Sequence, residues 1–368
     1  MATAEGPQKH TLCGYSWGDV SSALQKAIAS ADMGRAQRWA AELVCSEGGL
    51  GRLEATLYHT WANYVGVFQA PGWCQTWLKN IQHIRILWAR SGGDIRTIRN
   101  TPSVRQSVAE AVAWLVLATK KPLPTLPKSE DCFRESEAMR ARLRNGGGAG
   151  DQVSTRRVWV PGQDGYDLRT IGNELEAALR SQQNSRLLFW IVWLLTLDAQ
   201  KECPPTKDRA PPDVAGKARK SVVWFLVAVY KDLLDEFRCL PAEDAKCMFD
   251  LLGVTWSKLG TRGRRDVMAC IGLFLQDRGR ASQTLSLTGT PAPAKPPVDG
   301  IRAAMSNVDE LYAEIAEEAR RFVAETPHIT HLTAESAAFT TAQRMAKTSA
   351  LTSTDKLSLA YTLLQRSE

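Results

Sequence analysis

Several chemistries are missing from this sequence at the outset. No stretch reads GxxxxGK followed by Ser or Thr, so the glycine cradle and lysine of a P-loop nucleotidase are absent, and no GxGxxG follows a strand. The run Gly146-Gly147-Gly148-Ala149-Gly150 lies in a proline-containing, charged stretch and reads as a flexible spacer. Histidine is scarce, with only His10, His59, His83, His328 and His331. His328 and His331 have ligand-like spacing, but Pro327 precedes them and no cysteine or acidic cluster joins them, so no metal site is expected. His59, beside Trp61 on a helix, reads as a packed core histidine. The acidic pairs Asp235-Glu236 and Glu317-Glu318 are adjacent in sequence, which points their side chains in different directions on a helix and suits a solvated face. No nucleophile has a base placed to activate it. We therefore expect no enzyme and no cofactor, and no nucleotide hydrolysis by the purified chain.

Two further absences bear on compartment. The eight cysteines (Cys13, Cys45, Cys74, Cys132, Cys203, Cys239, Cys247 and Cys270) contain no CxxC pair, and at least four sit in apolar helical contexts where a free thiol behaves as a small hydrophobe. That pattern fits a reducing compartment: cytosol, nucleus, or a particle assembled there. No basic segment followed by an apolar core opens the chain, and the longest apolar run, Leu187 to Leu197, is too short to span a bilayer, so neither a secretory signal nor a membrane partner is expected.

What is present is ordinary globular composition, 44% apolar and 23% charged, which excludes wholesale disorder and fibrous classes. Tryptophan is abundant, and Trp39, Trp61, Trp88, Trp114, Trp190, Trp193 and Trp224 fall inside apolar runs where helix packing is the expected role. The net charge of +7 and pI near 9.0 permit a polyanionic partner.

Apolar residues recur at the helical spacing of three and four from Leu24 onward, and helices are predicted over 24–45 as a pair broken at Ser30 to Gly34, then 52–67, 73–90 and 104–119. Asp19 or Ser21 is the expected cap of the first. Further helices are predicted at 175–179 and 187–197, 220–237, 242–259, 264–277, 308–324, 334–348 and 355–366, with one short strand or hairpin at Arg156 to Val160. The chain also repeats itself. Leu24-Gln25-Lys26-Ala27 overlays Leu175-Glu176-Ala177-Ala178, bringing Arg35 onto Arg186, Trp39 onto Trp190 and Leu43 onto Leu194 without a gap. Ser107 to Trp114 similarly overlays Val267 to Phe274 after a net insertion for which the prolines at 204–212 offer a site. We expect an all-α protein of two tandem, duplicated, collar-like modules at 1–121 and 161–280, with linkers at 122–160 and 281–300 and a helical tail at 301–368, and both Trp39 and Trp190 buried.

Ser22-Ala23-Leu24-Gln25-Lys26-Ala27-Ile28, followed by Arg35-Ala36-Gln37-Arg38-Trp39-Ala40-Ala41-Glu42-Leu43, resembles the opening of the C-terminal helical domain of replication-restart AAA+ ATPases, relatives of clamp loaders. In that family an acidic pair precedes an isoleucine and glycine in the next helix. The matching place here reads Asn63-Tyr64-Val65-Gly66, with the glycine kept and both acids gone. The resemblance covers about Ser22 to Lys121, and more faintly the second module. It implies an oligomerising helical domain without its ATPase.

Arg96, Arg99 and Arg105 precede one helix, and Arg262, Arg264 and Arg265 hold the equivalent position in the second module. These six are the candidate nucleic-acid contacts, with nearby helix N-termini assisting. The function expected is a non-catalytic helical scaffold or adaptor in DNA replication, repair or genome packaging, with a virion or minor capsid protein of a large DNA virus as the alternative. Protein partners are expected, with a homo-oligomer and nucleic-acid binding both left open.

Overall fold

A computed structural model describes residues 11–70, 72–129, 149–201, 206–212, 214, 216–237, 242–284 and 298–324. The chain is all-α, with no strand or sheet among these residues. In order the helices are α1 (Trp17–Ala29), α2 (Met33–Cys45), α3 (Gly49–Thr60), a π turn (Trp61–Val65), α4 (Gly66–Gln69), α5 (Trp73–Arg90), α6 (Ile95–Asn100), α7 (Pro102–Leu117), α8 (Val153–Val158), α9 (Tyr166–Arg180) and α10 (Asn184–Gln200). A short 3-10 turn (Gly216–Lys220) then leads to α11 (Val223–Phe237), α12 (Ala242–Thr255), α13 (Thr261–Thr284), α14 (Val298–Met305) and α15 (Val308–Ala324).

The α1–α2 and α9–α10 hairpins turn alike. Ser30 and Ser181 share φ −87° and ψ 4°, and Ala31 and Gln182 both take φ +58°, a left-handed conformation rare outside glycine. Asp32 N–H donates to the Ala27 carbonyl at 2.9 Å and Gln183 N–H to the Ala178 carbonyl at 3.0 Å, so each turn satisfies a helix-end carbonyl in the same way. Every one of these pairs is separated by the 151 residues of the sequence overlay. The tryptophans of that overlay differ, however: Trp190 is buried, whereas Trp39 is half-exposed beneath Tyr15, ring centroids 5.3 Å apart and edge to face. Trp88, also expected in the core, is half-exposed where α5 ends against Gly93.

The compact units do not follow the expected tandem boundaries. One comprises Met1–Leu57, Lys79–Ala118 and Pro296–Glu368, the other Tyr58–Leu78 and Thr119–Lys295, so the chain changes unit inside α3 and again inside α5. In the first unit α7 packs on the α1–α2 hairpin, and α14 and α15 pack on α7, with α15 also against α2. The tail expected at 301–368 is thus, as far as Ala324, an integral layer: Ile301, Val308, Tyr312, Ile315 and Ala319 are buried. In the second unit α13 packs on the α9–α10 hairpin, on α11, and on the π turn and α4. Tyr58, Trp61, Trp73 and Trp77 are all buried in this unit, which gives the 58–78 segment its apolar reason for joining it. The Leu187 to Leu197 run lies in α10, whose side chains are buried nearly all round, the pattern of a helix at the centre of a core. No helix among the described residues is long and apolar enough to cross a membrane.

Several local expectations shift. Ser16, rather than Asp19 or Ser21, caps α1, its hydroxyl accepting from Asp19 N–H. The π turn and Gly66, at φ +75°, interrupt the helix predicted over 52–67. The segment predicted as a strand at Arg156 to Val160 is mostly the helix α8. Its β-branched residues suggested a strand, but the carboxylate of Glu176 on α9 accepts the N–H groups of Ser154 and Thr155 and holds the first turn helical. At the α2–α3 corner Gly48 takes φ +79°, and at Gly49 a Cβ would stand 1.9 Å from the Leu43 carbonyl oxygen, so no larger residue fits that passage unless the backbone moves. The helices predicted at 334–348 and 355–366, the Gly146 to Gly148 run, and His328 and His331 lie outside the described residues, as do Cys132, Cys203 and Cys239. Cys13, Cys45, Cys74 and Cys270 are buried free thiols.

Candidate nucleic-acid interface

The six arginines divide into those that hold the fold together and those that face solvent. In the first unit Arg105, on the first turn of α7, donates from Nε to the Arg99 carbonyl at 2.6 Å and from Nη1 to Asp309 on α15 at 2.8 Å, and its guanidinium lies 4.7 Å from the centre of the Tyr312 ring. It is a clasp for α15. Arg96 and Arg99, on α6, are half-exposed and make no ion pair among the described residues. In the second unit all three arginines sit on the first turns of α13. Arg264 donates from Nε to the Trp256 carbonyl at 3.1 Å and covers that ring at 4.6 Å, and burial lowers its pKa. Arg265 donates to Ser129 Oγ at 2.7 Å, while its Nε is buried without a hydrogen bond. Arg262 is 77% exposed and lies 3.6 Å from Asp266. Arg96 and Arg99 are therefore the members of the set whose charge is unpaired among the described residues, while Arg262 is exposed but paired with Asp266.

What the sequence reading missed lies on α5. Lys79, Gln82, His83, Ile86 and Arg90 are exposed and, at intervals of three and four, share one face. From Lys79 to Ser107 the chain has six lysines and arginines and one acid, Asp94. Asp94 is engaged locally: its carboxylate caps α6 by accepting from Arg96 N–H at 3.0 Å and Thr97 N–H at 3.3 Å, and these bonds, with the Thr97 hydroxyl, hold its pKa below the usual value. The signal was legible as a charge count, but the arginine-only comparison between modules passed over it.

The chain matches no known protein family, curated protein or solved structure.

The remaining polar clusters are structural. In the first unit Glu318 on α15 accepts from Tyr15 Oη at 3.0 Å and pairs with Arg38 of α2, so this carboxylate does not face solvent alone as the adjacent-pair reading expected. Burial, and then the neighbouring Glu318, push the Tyr15 phenol up to about 12. Glu42, fully buried, accepts Cys13 N–H at 2.8 Å through one oxygen while the other has no partner, and burial pushes its pKa up. In the second unit His59 is largely buried and lies 2.6 Å from Asp266 on α13. No group of three or more His, Cys, Asp or Glu residues among those described could hold a metal ion.

Asp164 shows how tightly such carboxylates are held. It is buried, takes a bidentate pair from Arg209, and accepts Val160 N–H at 2.7 Å and Lys207 N–H at 2.8 Å. Burial alone would raise its pKa, but these bonds outweigh it and the net shift is downward. Since the folded-state pKa is depressed, its contribution to stability is complete above the unfolded value, about 3.9, and is lost as pH falls through the lower folded value. Asp164→Asn should therefore flatten the acid side of a stability-versus-pH curve below about pH 4, measured by urea denaturation at stepped pH. An unchanged acid limb would show that other groups dominate it.

Proposed function

We propose that the protein acts without catalysis, as a helical scaffold that holds nucleic acid and protein partners in DNA replication, repair or genome packaging. The observation that carries this is the 79–107 segment of the first unit, where cations stand in excess and the one acid is engaged in capping. Polyanion binding follows from such a surface because each neutralised phosphate releases condensed counterions. The similar turns of the α1–α2 and α9–α10 hairpins support reading the chain as a duplicated helical framework, in keeping with its resemblance to the helical domain of replication-restart ATPases.

Anisotropy of a labelled duplex across a salt series tests this. Binding should be carried mainly by charge, with log affinity falling linearly in log salt, and Arg96→Glu with Arg99→Glu should flatten the slope by about two units. Reversing Arg264 and Arg265 should instead lower the melting temperature, because both are tied into the second unit. No binding at low salt removes nucleic acid from the proposal.

A further inference from the structure

We propose that the outward face of α5 seats in the major groove of duplex nucleic acid, with Lys79 and Arg90 on phosphates at the two ends of the contact and Gln82 and Ile86 toward the base edges. This rests on the nucleic-acid reading above and names the element that docks.

The second half of α5 presents a broad face to solvent. From Gln82 to Arg90 only Ile84 is buried, while Gln82, His83, Arg85, Ile86, Ala89 and Arg90 are exposed. Arg85 is paired with Glu54 at 3.0 Å, so its charge is largely answered within the unit. Lys79 and Arg90 make no ion pair among the described residues. His83 lies 3.2 Å from Ser103 Oγ at the start of α7, which places the α6–α7 corner, with Arg96 and Arg99, beside the same helix.

The dimensions fit a duplex. Eleven residues separate Lys79 from Arg90, a rise of about 16 Å at 1.5 Å per residue. A major groove is about 12 Å wide and admits one α-helix along its course, so the stripe runs with the groove, its centre facing the bases and the long side chains at its two ends reaching phosphates at either end of the contact. The residues at that centre are Gln82, whose amide can pair with an adenine edge, and Ile86, which suits the methyl group of thymine. Ile86 is 50% exposed, an apolar side chain amid cations that a purely electrostatic surface has no use for. An acidic protein would satisfy the lysine and arginine but would not require a neutral centre between charged ends.

The test uses the full chain, a labelled duplex at low salt, and two competitors for the grooves, methyl green for the major and distamycin for the minor. Methyl green should displace the protein and distamycin should not. Lys79→Glu with Arg90→Glu should weaken binding at least tenfold and flatten the salt slope by about two units, with the helical circular dichroism and melting temperature unchanged. Lys79→Gln with Arg90→Gln should give a smaller loss in the same direction, which guards against an effect of charge reversal on folding. Wild-type binding that survives the double substitution, or that yields to distamycin alone, overturns the docking of α5 and leaves the wider reading intact. Binding to poly-glutamate as tight as to duplex assigns the face to an acidic protein and overturns the proposal. No nucleic-acid binding by the wild type removes both.

Discussion

Glu176→Ala should destabilise the second unit by about 3–5 kcal/mol, the cost typical of removing one partner from a buried ionic network. The side chain of Glu176 is 0% exposed. One oxygen accepts Ser154 N–H at 3.1 Å and the Arg180 guanidinium through Nε at 3.0 Å and Nη2 at 2.8 Å, while the other accepts Thr155 N–H at 2.8 Å and the Thr155 hydroxyl at 3.1 Å. Truncation leaves two backbone donors at the start of α8 without a partner, at about 1–3 kcal/mol each where they are buried. A six-residue helix has too few internal bonds to persist unaided. Arg180 keeps Glu236 at 2.7 Å, so that arginine is not orphaned and the upper end of the range is not expected. Glu176→Gln retains acceptor capacity and should cost less. Urea denaturation followed by circular dichroism measures both, and a loss below 1 kcal/mol for the alanine variant would show that α8 does not depend on this cap.

Trp61→Ala should cost a similar amount, about 3–5 kcal/mol, through the cavity it leaves. The ring is fully buried, stacked on Tyr58 at 5.5 Å between centroids and on Trp73 at 6.1 Å, and Trp73 stacks in turn on Trp77 at 6.3 Å. Its Nε1 donates to the Ala70 carbonyl at 3.1 Å, which ties the π turn to the end of α4. Removing the ring breaks the stack in the middle and takes one of two donors from that carbonyl, which also accepts Trp73 N–H at 3.3 Å. The near-ultraviolet circular dichroism of the aromatic stack should collapse along with the stability. A variant that melts like the wild type with its aromatic signal intact would mean the stack does not support the second unit.

Arg105 and Arg99 show where sequence reasoning reaches its end. Both are arginines six residues apart at the same helix junction, and pattern alone treats them alike. In the folded chain Arg105 is bound by Asp309 and Tyr312, more than two hundred residues away, while Arg99 remains half-exposed. The availability of a charge depends on partners that no local spacing identifies. The converse holds on α5, where the excess of cations was countable from the sequence but their common face needed the helix and its burial pattern.

Helical periodicity, capping residues and glycine punctuation determined the all-α class and most helix positions, because these signals act within one or two turns of chain. Val308 to Ala324 appears with the predicted bounds, and Trp73 to Arg90 stops at the predicted glycines. The 151-residue overlay located two hairpins whose turns match in dihedral angle and hydrogen bonding. Only the tertiary structure decided which elements share a core. It sent Tyr58 to Leu78 to the unit of α13, brought α14 and α15 onto α7, and turned Ser154 and Thr155 into a helix through a carboxylate on α9. Burial of apolar area is non-directional, so a tryptophan-rich segment announces that it will be covered but not by what. That choice belongs to the whole chain.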